Sequence, residues 1–200
     1  DNKSRNLYIR DGSFLTGDEV FSYVVKRDNL VKSDKFYRVY NLKCDADWLT
    51  LVQKKTYIRN NQTATVNVKI DKSKVKEPGM YTAKITAYRD DASKTPEFEL
   101  LATVVIPYEI NSSNNYKMSW KDQTINQGMI KRYFVKVPAG QNSMKIALSR
   151  DASSNKYSRC KYFLSDNNGI QIHQSSVLYS VNKDEKTENY YYDLEPGIYE

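Results

Sequence analysis

A single histidine, His173, and two cysteines, Cys44 and Cys160, leave the chain poor in the side chains that most often ligate metals or act as nucleophiles. One imidazole and two thiols far apart in sequence offer no metal-ligand spacing, so neither a metal nor a cofactor is expected. The cysteines fall in different halves and cannot pair within one domain, which favours a reducing compartment. Glycine (7) and proline (5) are scarce, which excludes a collagen-like or low-complexity chain and leaves too few glycines for a phosphate-cradling loop. No hydrophobic run approaches the roughly 20 residues of a membrane helix. The opening Asp1-Asn2-Lys3-Ser4-Arg5 leads into no apolar stretch, so a signal peptide would have to lie in a longer parent.

What is present is a soluble, basic, tyrosine-rich chain. Its 200 residues suffice for one large domain or two of about 100. Mean hydropathy is -0.73 and net charge +7, divided as +4 up to Asn111 and +3 beyond it. The basic excess is spread, and its local runs, Lys54-Lys55 and Lys131-Arg132, sit inside strand-like segments. A nucleic-acid footprint would be a basic stripe interleaved with stacking aromatics, so neither nucleic acid nor membrane is an expected partner. The glycosylation triplets Asn2-Lys3-Ser4, Asn61-Gln62-Thr63 and Asn111-Ser112-Ser113 are near chance in a chain rich in Asn, Ser and Thr.

Period-two alternation dominates. Ala64, Val66, Val68 and Ile70 alternate with polar residues, as do Tyr81, Ala83, Ile85 and Ala87, each run giving one apolar and one polar face. Similar runs cover residues 6–10, 20–25, 36–44, 98–107, 129–137, 143–148, 161–164 and 169–173. No window keeps a 3.6-residue period with caps, so helices should be short or absent. Pro78-Gly79 predicts a turn with Gly at positive φ before a long strand, and Pro196-Gly197 repeats the device, but the sequence stops at Glu200 just as the following strand should start, as though a second domain were cut short. Asn111-Ser112-Ser113-Asn114-Asn115 reads as a linker. The expected organisation is all-β: an immunoglobulin- or fibronectin-like sandwich over residues 1–110, a linker at 111–115, and a second sandwich over 116–200.

No catalytic constellation emerges, and no catalytic, cofactor-binding or metal-binding residue is assigned. His173 lies in the run Ile170-Gln171-Ile172-His173-Gln174 and reads as a strand histidine. A triad from Ser175 or Ser176 with Asp166 is rejected, because strand neighbours this close point along or away from one another and no nucleophile elbow surrounds them. Asp90-Asp91 and Asp184-Glu185 read as solvated turns without a calcium-loop pattern. Trp48 reads as a core anchor. Tyr190-Tyr191-Tyr192 reads as an edge strand with one inward ring and two outward ones, or alternatively as an aromatic platform for a ligand.

Two segments carry a resemblance. Asn6-Leu7-Tyr8-Ile9-Arg10-Asp11 resembles the Gly-Ile-Tyr-Leu-Arg-Asp stretch that follows the catalytic domain in tripeptidyl-peptidase II-like subtilases, with Asn6 in place of Gly. Gln127 to Gly140 resembles that family's pattern Pro-Gly-hydrophobic-X-Arg-X-Phe-hydrophobic-X-Val-Pro-X-Gly, which opens its second post-catalytic domain. The order Trp48, 66–76, Pro78 to Tyr88 and 96–107 is also similar to the family's immunoglobulin-like segment, although the loop from Gly12 to Glu19 is shorter. The resemblance implies a galactose-binding-like fold for the second domain. It also implies a parent that is a serine exopeptidase releasing tripeptides, whose catalytic Asp, His and Ser lie upstream and map onto no position here. The partners it implies are that upstream protease domain and further subunits, in the cytoplasm, or in the secretory pathway if the parent is another subtilase. A glycan- or protein-binding module of a secreted or surface subtilase is the alternative.

Overall fold

The computed structural model describes residues 6–27, 35–60, 62–89, 94–151, 159–179 and 183–200. The triplet at Asn2, Asn61 of the second triplet, and Asp90-Asp91 lie outside the described residues. The protein is all-β. Its only helical elements among the described residues are three single 3-10 turns, Gly12–Phe14, Lys72–Lys74 and Ser112–Asn114, each started by an Asp or Asn whose side chain accepts a backbone N–H. The chain divides into two compact units, Asp1–Ile106 and Pro107–Glu200.

The first unit is a β-sandwich. One sheet joins β1 (Asn6–Ile9), β8 (Phe98–Ile106), β7 (Gly79–Arg89), β3 (Tyr37–Cys44) and β5 (Lys55–Arg59) in that order. β1 runs parallel to β8, and the other pairs are antiparallel. The second sheet joins β2 (Val20–Lys26), β6 (Thr63–Ile70) and β4 (Leu49–Leu51), all antiparallel. The alternation seen in the sequence builds the core between the sheets: Ala64, Val66, Val68 and Ile70 of β6 cluster with Ala83, Ile85 and Ala87 of β7, with Leu42, Leu100 and Val104, and with Leu15 and Trp48. Val66, Val68, Ile85 and Val104 are wholly buried, and each such side chain contributes about 1.5–3 kcal/mol.

Three residues carry the chain from one sheet to the other. The Val52 N–H donates to the Asn67 carbonyl of β6 (3.0 Å), while the Lys54 carbonyl accepts the Leu42 N–H of β3 (2.8 Å). Between them, the Gln53 amide donates to the Thr65 carbonyl (2.7 Å) and accepts the Asn67 N–H (3.3 Å), so a side chain takes over beside β6 where β4 stops.

The second unit holds smaller sheets. β10 (Val135–Val137) lies between β9 (Tyr108–Glu109) and β15 (Gly197–Tyr199). β11 (Met144–Arg150) pairs with β14 (Glu185–Tyr191), and β12 (Phe163–Ser165) with β13 (Gln171–Gln174). Val137, Leu164 and Tyr199 form its core, with Met144, Ile146, Tyr162, Tyr191 and Leu194 packed around them. Asn111, read as the start of a linker, caps the turn Ser112–Asn114 in a reciprocal capping box.

Two local expectations are corrected. The strand expected over 129–137 is only Val135–Val137, and Lys131-Arg132 lie outside it. Met129 and Ile130 are adjacent apolar residues instead of alternating ones, and both are exposed, so the segment offers no single face to bury. Gly79 also does not take positive φ. It opens β7 directly, opposite Ile106, so the turn ends at Pro78.

Candidate functional site

Two residues singled out in the second unit, His173 and Tyr191, meet in one cluster. Along β14, Thr187, Asn189 and Tyr191 turn inward while Lys186, Glu188 and Tyr190 face solvent. Of the three consecutive tyrosines, Tyr191 is therefore half-buried, whereas Tyr190 and Tyr192 are exposed. The Tyr191 hydroxyl shares a 2.8 Å hydrogen bond with the Tyr162 hydroxyl, which also accepts from Asn189 Nδ2 at 2.6 Å. Burial, and next the bond to Tyr162, push the Tyr191 phenol well above its ordinary pKa.

His173 sits on β13 opposite Leu164. Its ring lies between Tyr162 (centroids 6.0 Å) and Tyr191 (5.3 Å, edge-on), and its Nε2 is buried without a hydrogen-bond partner. The rejected triad residues are committed elsewhere. Ser175, 4% exposed, accepts the Tyr162 N–H (3.0 Å) and donates its hydroxyl to the Ser176 carbonyl (2.9 Å), so its proton is not aimed at His173. Asp166 accepts the N–H groups of Asn168 (2.9 Å) and Ile170 (2.8 Å) and shapes the β12–β13 turn, in which Gly169 takes φ 82°. Ser176 is exposed.

Elsewhere, Asp184 precedes β14, and Glu185 opens it opposite Arg150. Among the described residues, no group of three His, Cys, Asp or Glu side chains could hold a metal ion. Cys44 and Cys160 are free, and burial pushes both thiols up. Trp48 is buried, edge-on to Tyr81 at 6.4 Å. A shallow groove of about 400 Å³ in the first unit is lined by Thr16, Gly17, Thr50, Lys69 and Lys72. The Lys72 ammonium is already spent on the carbonyls of Ser13 and Leu15.

Sequence reasoning missed a second aromatic group, Trp120 with Tyr108 (5.0 Å) and Tyr133 (4.6 Å). It sits at the base of residues 121–132, which are all exposed. The spacing of these three rings follows no strand or helix period, so no local signal announced them.

No protein-family model matches the chain. It is 32% identical over 109 residues to Pyrolysin from Pyrococcus furiosus, a match covering 54% of this chain and 8% of that protein. Its fold matches the crystal structure of tripeptidyl peptidase 2 (TPP II) with a TM-score of 0.61 and 18% identity, over 98% of this chain and 17% of that one. The chain resembles an accessory region of a TPP II-like subtilase. At this identity, the likeness to TPP II establishes the all-β sandwich fold, and the chain spans only a small part of either relative's length. A candidate carbohydrate-binding protein from Bacteroides ovatus overlays with a TM-score of 0.40 and 8% identity, too loosely to carry an argument. Among the described residues, no helix is long and apolar enough to cross a membrane.

Proposed function

We propose that the chain is a non-catalytic scaffold region of a TPP II-like serine peptidase of the subtilisin family, an immunoglobulin-like sandwich followed by a galactose-binding-like one. In this reading it supports the upstream protease domain and subunit assembly in the cytoplasm. The observation that carries it is the overlay on TPP II along 98% of the chain, and the partial identity to Pyrolysin supports it. The commitments of Ser175 and Asp166 to backbone partners fit a region whose polar groups hold the fold.

The test is light scattering on a sizing column with an Ala-Ala-Phe tripeptide-release assay, on the chain alone and mixed with the protease domain of its parent. The expected result is an inert chain that comigrates with the protease and changes its activity or assembly. Tripeptide release by the chain alone would overturn the non-catalytic reading. A chain that ignores the protease would overturn the scaffold reading and leave the glycan- or protein-binding module, with Tyr190 and Tyr192 as its exposed rings.

A further inference from the structure

Exposed sheet edges invite pairing with other chains, and soluble proteins blunt them by keeping them short, charged, bulged or covered. Three of the four edges in the first unit are treated this way. β1 has four residues, and β5 has five, with Lys55 and Arg59 exposed at its ends. β4 has three, and Gln53 takes over its ladder positions beside β6. β2 is blunted least, its one charge being the exposed Lys26 at its end. It runs seven residues, Val20–Lys26, without proline, and its register with β6 is unbroken from Val20↔Lys69 to Lys26↔Thr63. Val20 and Val24 on its outer face are 51% and 69% exposed, and Phe21 and Val25 on its core face are only partly covered.

We infer that β2 is a homotypic assembly edge, on which a second copy of this chain adds its own β2 antiparallel about a two-fold axis at Tyr23. The occupant follows from the sequence of the strand. An antiparallel pair centred on Tyr23 sets Val20 opposite Lys26, Phe21 opposite Val25, and Ser22 opposite Val24. Apolar residues meet on the core face, and no charge faces a like charge, the condition cross-strand pairs require. The parity keeps both core faces on one side, so the two three-stranded sheets become one of six, and the contact is isologous and closed. The net charge of +7 on each copy opposes the encounter, so salt should tighten the dimer by screening. The pairing itself stands on the sheet geometry, and only its place in a larger enzyme rests on the scaffold reading.

The test is sedimentation equilibrium of the 200-residue chain from about 10 μM to about 1 mM, at about 0.05 M and about 0.5 M salt. The expected result is a monomer–dimer equilibrium with Kd in that range, tighter at high salt. Val24→Lys should weaken it at least about tenfold, and Tyr57→Lys on β5 should leave it unchanged. Because Val24 is exposed, the variant should keep the parent's melting temperature, which is checked alongside. Ser22→Cys with Val24→Cys, oxidised, should give a covalent dimer that the unsubstituted chain does not form, and this measurement decides the matter should Val24→Lys fold poorly. A monomer at every concentration, a dimer indifferent to Val24→Lys, equal loss in Tyr57→Lys, or no covalent dimer from the double-cysteine variant would each overturn the inference. None of these outcomes bears on whether the chain binds a protease.

Discussion

Gly12→Ala probes the most crowded glycine of the first unit. A Cβ built at Gly12 stands 2.6 Å from Ile106 Cδ1, 2.8 Å from Val104 Cγ1 and 3.1 Å from the Val105 carbonyl oxygen. Carbon atoms pack at about 3.5–4.0 Å, so β8 must yield by close to an ångström. Val104 is 0% and Ile106 8% exposed, which leaves neither side chain a solvent-facing rotamer, and the third neighbour is backbone. Two effects oppose each other. Alanine stiffens the unfolded chain and stabilises by about 0.4–1 kcal/mol, whereas overpacking a core costs about 1–3 kcal/mol. The clash wins, and net destabilisation of about 1–2 kcal/mol is expected, which lowers the melting temperature of a unit this size by about 4–8 °C per kcal/mol. The chain has two tryptophans, so Trp120→Phe leaves Trp48, buried in the first unit's core, as reporter. Urea unfolding followed by its fluorescence gives the free energy. A Gly12→Ala variant within about 0.5 kcal/mol of its parent would refute the close packing of the Gly12–Phe14 turn on β8.

Burial pushes both Tyr23 and Tyr40 up to about 12, and the hydrogen bond from Tyr40 to Glu97 adds to its shift. These phenols stay neutral in the folded state while their unfolded counterparts ionise near 10, so their contribution is complete below pH 10 and is lost as pH rises towards 12. Urea midpoints should fall across that window, and Tyr23→Phe or Tyr40→Phe should flatten the decline; an unchanged slope in both variants would sink the account. Ser175→Ala strips partners from the Tyr162 N–H and the Ser176 carbonyl. It should destabilise the second unit by about 1–3 kcal/mol in a thermal melt, and a neutral variant would show that these bonds hold nothing.

The sandwich core was legible because its strands alternate cleanly: every inward residue of β6 and the centre of β7 is small or β-branched and apolar. β14 was legible only at its end, where Tyr190-Tyr191-Tyr192 read as an edge strand with one inward ring; its start was not, because two of its inward positions are Thr187 and Asn189, which carry no hydrophobic signal and pack by hydrogen bonding instead. β4 and β9, at three and two residues, are too short to display a period. The His173 cluster was hidden for another reason. It joins residues 173, 189 and 191 of two strands with Tyr162, which stands just before a third, and pattern reading along the chain sees only neighbours. The failure at Met129–Phe134 runs the other way, since hydrophobic content there was read as periodicity.

The crossing at Val52–Lys54 has a mechanical consequence. One peptide is tied to β6 and another, two residues on, to β3, while the amide between them reproduces a missing strand. Sliding one layer past the other would strain the Val52 and Lys54 backbone bonds, and the Gln53 bonds between them, at one point in the chain.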